Sequence, residues 1–208
     1  MTNPWEEIRL DEYEKHMSLD SVKQLQTLDM IVQEQFSAYK AETAEVLGIA
    51  GGNGLEHIRK YGFRKVYGID INADYINETT KRYADLSGIL ECIKADIISE
   101  TEKLPKAQLL IADLLIEYIG YSVFGKAVAQ IEAEYVSCVI QVNADEKQWV
   151  SDSPYIHAFD RLDEVHHQIE ENALAALMNE IGYLLILHEK HPLPNGKALI
   201  RMDFQKRH

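Results

Sequence analysis

The stretch "LGIAGGNGLEHI", Leu47 to Ile58, runs an apolar segment straight into Gly51, Gly52 and Gly54. The chain holds 11 glycines in 208 residues, so three of them this close together mark a place where backbone conformation or backbone approach matters. Glycine adopts positive φ at no steric cost and lets a ligand reach the main chain without a Cβ in the way. A tight turn would use the same residues, so the reading depends on what flanks them.

Outward from the loop, short β-rich runs alternate with longer helix-like segments. "AEVLGIA" reads as a first strand, followed by a helix over Leu55 to Tyr61. "KVYGIDI" is a second strand with a helix around "ADYINETTKRYADL" behind it, and "ILECIKADI" is a third. "AQLLIADLL" is a fourth, followed by helical "EYIGYSVFGKAVAQIEA", and "YVSCVIQVN" is a fifth. Beyond an irregular piece, Asn143 to Asp160, the apolar spacing of "DRLDEVHHQIEENALAALMNEIGY" predicts one amphipathic helix capped by Gly182. "YLLILHEKHPL" and "KALIRMDFQ" then flank Asn195-Gly196, a hairpin signal. The pattern predicts an α/β fold: a doubly wound, mostly parallel sheet of seven strands with helices on both faces, ending in an antiparallel hairpin.

Before Ala44, "SLDSVKQLQTLDMIVQEQFSAY" places Val22, Leu25, Leu28, Ile31 and Val32 on one helical face, with Ser18 or Asp20 as its cap. This helix is expected over the sheet's open edge or over the site. Residues 1–43 thus read as an N-terminal helical extension and 44–208 as the main domain.

Composition narrows the ligand. The chain is 46% hydrophobic and 26% charged, as a packed domain requires, and no apolar run approaches the ~18 residues of a membrane span. The polar start "MTNPWEEIRLDEYEKH" does not resemble a signal peptide, so a cytoplasmic protein is expected. Cys92 and Cys138 lie in apolar runs without a CxxC or zinc spacing, which predicts buried, reduced thiols and no metal. A net charge of −13 repels a phosphate backbone, which disfavours nucleic acid and favours a cationic or neutral small ligand.

Ligands of open α/β sheets bind beyond the carboxyl ends of the strands. Asp70 in "VYGIDIN" ends the second strand, about 20 residues past the loop, where an acid can accept both hydroxyls of a ribose. Asp74 is the expected cap of the following helix, which leaves Asp70 free. Asp96 in "IKADI" ends the third strand and Asp113 in "LLIADLL" the fourth. Four successive strands each end in a glycine loop or an aspartate on one sheet edge, and that combination is hard to read as packing.

Read from Gly52, the loop gives Gly52-x-Gly54-x-x-His57, so the third glycine of a dinucleotide fingerprint is missing, and no P-loop GKS or GKT occurs. S-adenosylmethionine carries adenine and ribose without phosphate, and a sulfonium cation suits a ring of aspartates. On "VLGIAGGNG", "VYGIDIN", "IKADI" and "LLIADLLIEYIG", the stretch from about Ala44 to Gly120 resembles a class I, Rossmann-like S-adenosylmethionine-dependent methyltransferase. The resemblance implies that Gly48, Ala50, Gly51, Gly52 and Gly54 form the loop under the methionine part. It implies that Asp70 takes the ribose hydroxyls with Ile71 on adenine. Asp96 would accept from the adenine amino group beside Ile97, and Asp113 and Leu114 would lie near the sulfonium. Two departures stand out: Gly48 replaces the family's acid and Ala50 its first loop glycine. Asp113, backbone carbonyls, Tyr13 or His16 could then hold the cofactor ammonium.

Methyl transfer is an in-line displacement whose chief demand is alignment, and a base is needed only for a protonated nucleophile. Glu117, Tyr118, Tyr121 and His157 are the candidates near the methyl position, whereas His166 and His167 are expected on a helix surface. No Asn-Pro-Pro-Tyr-like motif follows the fourth strand, so the expected acceptor is a small molecule, with a protein side chain next. A non-catalytic S-adenosylmethionine-binding partner protein, a polyamine synthase of the same fold and a divergent NAD-dependent oxidoreductase remain alternatives.

Overall fold

The computed structural model describes residues 2–143 and 149–207; residues 144–148 of the irregular piece lie outside them. The seven strands are β1 (Thr43–Leu47), β2 (Lys65–Asp70), β3 (Leu90–Lys94), β4 (Leu109–Asp113), β5 (Tyr135–Val142), β6 (Tyr183–Pro192) and β7 (Ala198–Lys206). They form one sheet in the order β3-β2-β1-β4-β5-β7-β6. β1 to β5 pair in parallel, and β7 runs antiparallel between β5 and β6. The strand order reverses between β1 and β4, and a crevice opens there at their carboxyl ends. The continuous apolar runs of β4 and β5 follow from burial on both faces, which leaves no solvent side to alternate with.

Among the described residues five α-helices accompany the sheet: α1 (Leu10–Ser18), α2 (Gln24–Ala38), α3 (Ala73–Arg82), α4 (Ile116–Ile131) and α5 (Glu171–Glu180). On one face, Val32 and Phe36 of α2 and Leu55 and Ile58 pack on Ala44, Val66, Leu109 and Ile111. On the other, Phe124 and Val128 of α4 and Leu174 and Met178 of α5 cover Leu47, Ile69, Leu110 and Ala112. Among the described residues no helix is long and apolar enough to cross a membrane.

Three local expectations are corrected. The segment after the glycine loop is a 3₁₀ turn, Leu55–Lys60, between the positive-φ residues Gly54 and Gly62. So short a segment cannot repay α-helix nucleation. The single amphipathic helix expected over 160–183 is two pieces, a 3₁₀ segment Ile156–Glu164 and α5. Its apolar residues serve different clusters: Phe159 and Leu162 pack with Ile8, whereas Ile169, Leu174 and Met178 join the sheet core. Between the pieces the His167 N–H leaves any helical ladder and donates to the Glu117 carbonyl at 2.6 Å.

Neither Ser18 nor Asp20 caps α2. Ser18 ends α1, and α2 starts after Lys23, which adopts φ 53°. Of the two places expected for α2, it takes the one over the strand ends and not the sheet's edge: its apolar stripe reaches both the β1/β4 cluster and Val139 and Leu199 of β5 and β7, and Gln35 donates to Asp113 at the end of β4.

Candidate active site

The carboxyl ends of β1 to β4 converge on a cavity of about 680 Å³, lined there by Gly48, Ala50, Asp70, Ile71, Asp96, Ile97, Asp113 and Leu114. The parallel sheet brings these together, because consecutive parallel strands all finish on one edge. Asn3, Trp5 and Tyr13 close it from the N-terminal segment and Tyr75 from α3. No basic side chain lines it among the described residues.

Asp70 braces the loop. Its Oδ2 accepts from the Ala50 N–H at 2.9 Å and its Oδ1 from the Asn72 N–H at 2.8 Å. Burial pushes its pKa up to about 6, and the backbone donors pull the other way. A carboxylate has about four lone-pair positions, so two remain for a ligand's hydroxyls. Asp113 accepts from Gln35 Nε2 of α2 at 2.9 Å through Oδ1, while its buried Oδ2 has no partner among the described residues. Burial raises its pKa to about 7. Such an orphaned acceptor costs free energy in the empty cavity and is a ready receptor for a cationic donor. Asp96 is half-buried, accepting from the Ile98 N–H at 3.0 Å and from Ser99 Oγ at 2.7 Å.

Ala50 and Leu114 adopt φ 45° and 52° without being glycine. Both line the cavity. Strained backbone of this kind persists where the surroundings over-determine it and gathers at functional sites.

Three of the loop glycines do not line the cavity. A Cβ on Gly52 would lie 2.7 Å from the Tyr83 ring, one on Gly54 2.7 Å from Val32, and Gly51 abuts Glu14 and Arg82. The loop's carbonyls are held by the α3 end: Thr79 Oγ1 donates to Ala50, Arg82 Nη1 to Gly51 and the Tyr83 hydroxyl to Gly52, each at 2.7 Å. Gly51, Gly52 and Gly54 therefore serve close packing of the loop on α1, α2 and the end of α3, and only Gly48 and Ala50 of the set line the cavity. Asn72 replaces Asp74 as the α3 cap, accepting from the Asp74 N–H at 2.9 Å. Its Nδ2 also donates to the Trp5 carbonyl at 2.9 Å, which ties the cavity's floor to its cover.

A second cavity of about 770 Å³ adjoins the first and shares Trp5, Tyr13, Leu114 and Tyr118 with it. Glu117 and Tyr118 stand here because Gly120, at φ 72° and ψ 166°, breaks α4 one turn in. Glu117 Oε1 accepts from the Gln141 N–H at 2.8 Å. Its Oε2 is buried without a partner among the described residues, and burial lifts the Glu117 pKa to about 7. Burial holds the Tyr118 hydroxyl well above its usual range, so it stays protonated. His16 lines this second cavity and not the first, bonded through Nδ1 to Ser153 Oγ at 2.8 Å. His166 and His167 also line it, on irregular chain and not on the expected helix; His167 is exposed, as expected, whereas His166 is half-buried and stacks on Trp149 at 4.0 Å.

His157 lies away from both cavities. Its side chain is 89% exposed and faces Asp160 at 3.2 Å, since the 3₁₀ geometry of Ile156–Glu164 turns Phe159 and Leu162 inward instead. The Tyr121 hydroxyl is engaged with the Glu170 N–H at 2.7 Å and is structural. The sequence reading missed Trp5, Asn72, Tyr75 and Gln35. Trp5 carried a faint signal as one of only two tryptophans; the other three looked like ordinary helix residues.

No protein-family model matches the sequence, and no curated protein matches it. Solved structures do. The chain is similar to magnesium protoporphyrin IX methyltransferase of Synechocystis with bound SAH, at TM-score 0.69 and 11% identity over 95% of this chain and 94% of that one. It is similar to the N-methyltransferase NodS of Bradyrhizobium japonicum, at TM-score 0.66 and 12% identity over 91% and 100% of the two chains. A third likeness is a putative sarcosine dimethylglycine methyltransferase of Galdieria sulphuraria, at TM-score 0.66 and 12% identity over 87% and 86%.

Proposed function

On the premise that this chain has the class I, Rossmann-like methyltransferase fold, we propose that it is an S-adenosylmethionine-dependent methyltransferase acting on a small molecule. One observation carries the reading: the cavity at the strand-order switch is lined by three carboxylates and no basic group among the described residues. That environment favours an adenosine bearing a cation and opposes a pyrophosphate.

The residues fit the cofactor's parts. Asp70 takes the ribose hydroxyls on its free lone pairs, Ile71 and Ile97 flank adenine and Asp96 accepts from its amino group. Gly48 leaves room beneath the methionine portion. Asp113, with its unpartnered Oδ2, receives the ammonium that an acid at position 48 would otherwise hold, and Leu114 lies beside it. When bound, the cofactor supplies an electrophilic methyl on a sulfonium. The chain's own task is to orient the acceptor and keep water out. A small acceptor suits the second cavity, which meets the first at Leu114 and Tyr118. The similar structures named for porphyrin and sarcosine chemistry support the same class, and a protein acceptor is the weaker reading.

Calorimetric titration with S-adenosylmethionine and with NAD⁺ tests the proposal. The expected result is binding of the first only, weakened about tenfold or more in Asp70→Asn. NAD⁺ binding, or an Asp70→Asn affinity equal to wild type, overturns it. A labelled-methyl assay on a metabolite extract then separates catalysis from cofactor binding alone.

A further inference from the structure

We propose that the second cavity takes an amine-bearing acceptor whose cationic nitrogen is received by Glu117, which then accepts its proton. This rests on the methyltransferase reading and adds the acceptor's chemical class.

Glu117 is 5% exposed. Its carboxylate is half satisfied: Oε1 is held by the Gln141 N–H, and Oε2 is buried with no partner among the described residues. Glu117 lines the cavity, and a buried carboxylate oxygen without a partner is destabilising unless a donor reaches it. The walls around it are aromatic, with Trp5, Tyr118 and Trp149 in edge-on contact and His166 stacked on Trp149. Aromatic faces beside a buried anion suit an ammonium group.

Among the described residues, the surrounding titratable groups leave the cavity without a competing fixed cation. Burial depresses His16 to about 4 and lowers His166, so both are neutral at pH 7. The Lys197 ammonium donates to the Trp149 carbonyl at 2.5 Å and is absent from the lining. Asp113 is the nearby acid and raises Glu117 further, while His167 contributes its backbone N–H to the Glu117 carbonyl.

The proton balance is simple. An ammonium R–NH₃⁺ gives one proton to the Glu117 carboxylate, leaving R–NH₂ and a neutral carboxylic acid. The freed lone pair is what attack on an electrophilic methyl requires. A pKa raised to about 7 by burial places Glu117 where it can take that proton near neutral pH.

Both tryptophans of the chain, Trp5 and Trp149, line this cavity and Trp5 also lines the first, so the fluorescence of a Trp5→Phe variant, which leaves Trp149 alone, reports occupancy of the second. The probes are 2-phenylethylamine, 2-phenylethanol and 3-phenylpropionate, which match in shape and differ in charge. The expected result is that the amine binds about tenfold or more tighter than the alcohol or the acid, and that Glu117→Gln removes this preference. Melting of Glu117→Gln alongside wild type confirms that the variant is folded, and Glu117→Asp, which keeps the charge, retains the preference. Equal binding of the three probes, an unchanged preference in Glu117→Gln, or no amine binding at millimolar concentration overturns the proposal. S-adenosylhomocysteine titrated separately into both proteins distinguishes the two readings. If it binds neither, the methyltransferase reading fails; if it binds both equally while the amine preference is absent, only the acceptor assignment fails.

Discussion

Gly54 has φ 83°, and a Cβ there would meet Val32 at 2.7 Å. Gly62 shares the conformation, at φ 72°, but has open space around it. Forcing an L-residue into this region costs about 1–2 kcal/mol, and the clash adds to that only at Gly54. Gly54→Ala is therefore expected to lower the melting temperature by more than Gly62→Ala, with about 2–4 °C lost per kcal/mol in a chain of this size. Equal shifts in a thermal melt would show that α2 yields to the added methyl. The same contrast explains what was legible at this scale. The aspartates at strand ends were readable because position along a strand decides which sheet edge a residue reaches. The facing of Gly51, Gly52 and Gly54 was not, because it depends on Glu14, Val32 and Tyr83 arriving from elsewhere. His157 misled for a related reason: flanking aromatics suggested a pocket wall, and in the fold it is solvent-exposed beside Asp160.

Within β1 the element carries an anomaly. Glu45 is fully buried, its in-register neighbours are Tyr67 and Leu110, and neither carboxylate oxygen has a partner among the described residues. Burial raises its pKa from 4.5 to about 8, so the folded strand holds a proton that the unfolded chain releases. Its contribution is complete below 4.5 and is lost as pH rises through about 8. Glu45→Gln is expected to match wild type in urea unfolding at pH 5 and to be the more stable of the two above about pH 8. Parallel stability curves would acquit Glu45. The strand itself was plain in the sequence despite this residue, since Val46 and Leu47 continue the apolar run. The helices were read less well. Leu162, Val165, Ile169 and Leu174 fit one helical period, yet irregular chain separates the 3₁₀ segment from α5, because Leu162 and Val165 pack in one cluster and Ile169 and Leu174 in another.

Across the molecule, Asp70, Asp113, Glu117 and Glu45 all titrate above their usual range. His16 works in the opposite sense, since its depressed pKa adds stability as pH climbs toward 6.5, and Lys197 does the same only from about 8 upward. Between pH 6.5 and 8 the carboxyls act alone, so stability of the ligand-free protein is expected to fall with rising pH across that window. A flat or rising curve from denaturant melts would contradict the burial of these groups. A cation bound beside Asp113 should offset part of the loss. At a hundredfold excess over its Kd, S-adenosylmethionine would add about 2.7 kcal/mol and raise the melting temperature by about 5–10 °C. An unmoved transition in scanning calorimetry at that excess would oppose binding to the folded state.

By itself the sequence determined the alternation of strands and helices, the closing hairpin and the run of strand-end acids, because these are short-range patterns and parallel strands deliver their carboxyl ends to one edge. Only the tertiary structure decided that three loop glycines pack against protein, that Asn72 caps α3 and holds Trp5, and that Glu117, with a buried oxygen unpartnered among the described residues, lines a second cavity. Apolar spacing records that a side chain is buried, and glycine records that a Cβ is unwelcome. Neither records which partner, brought from far along the chain, does the burying.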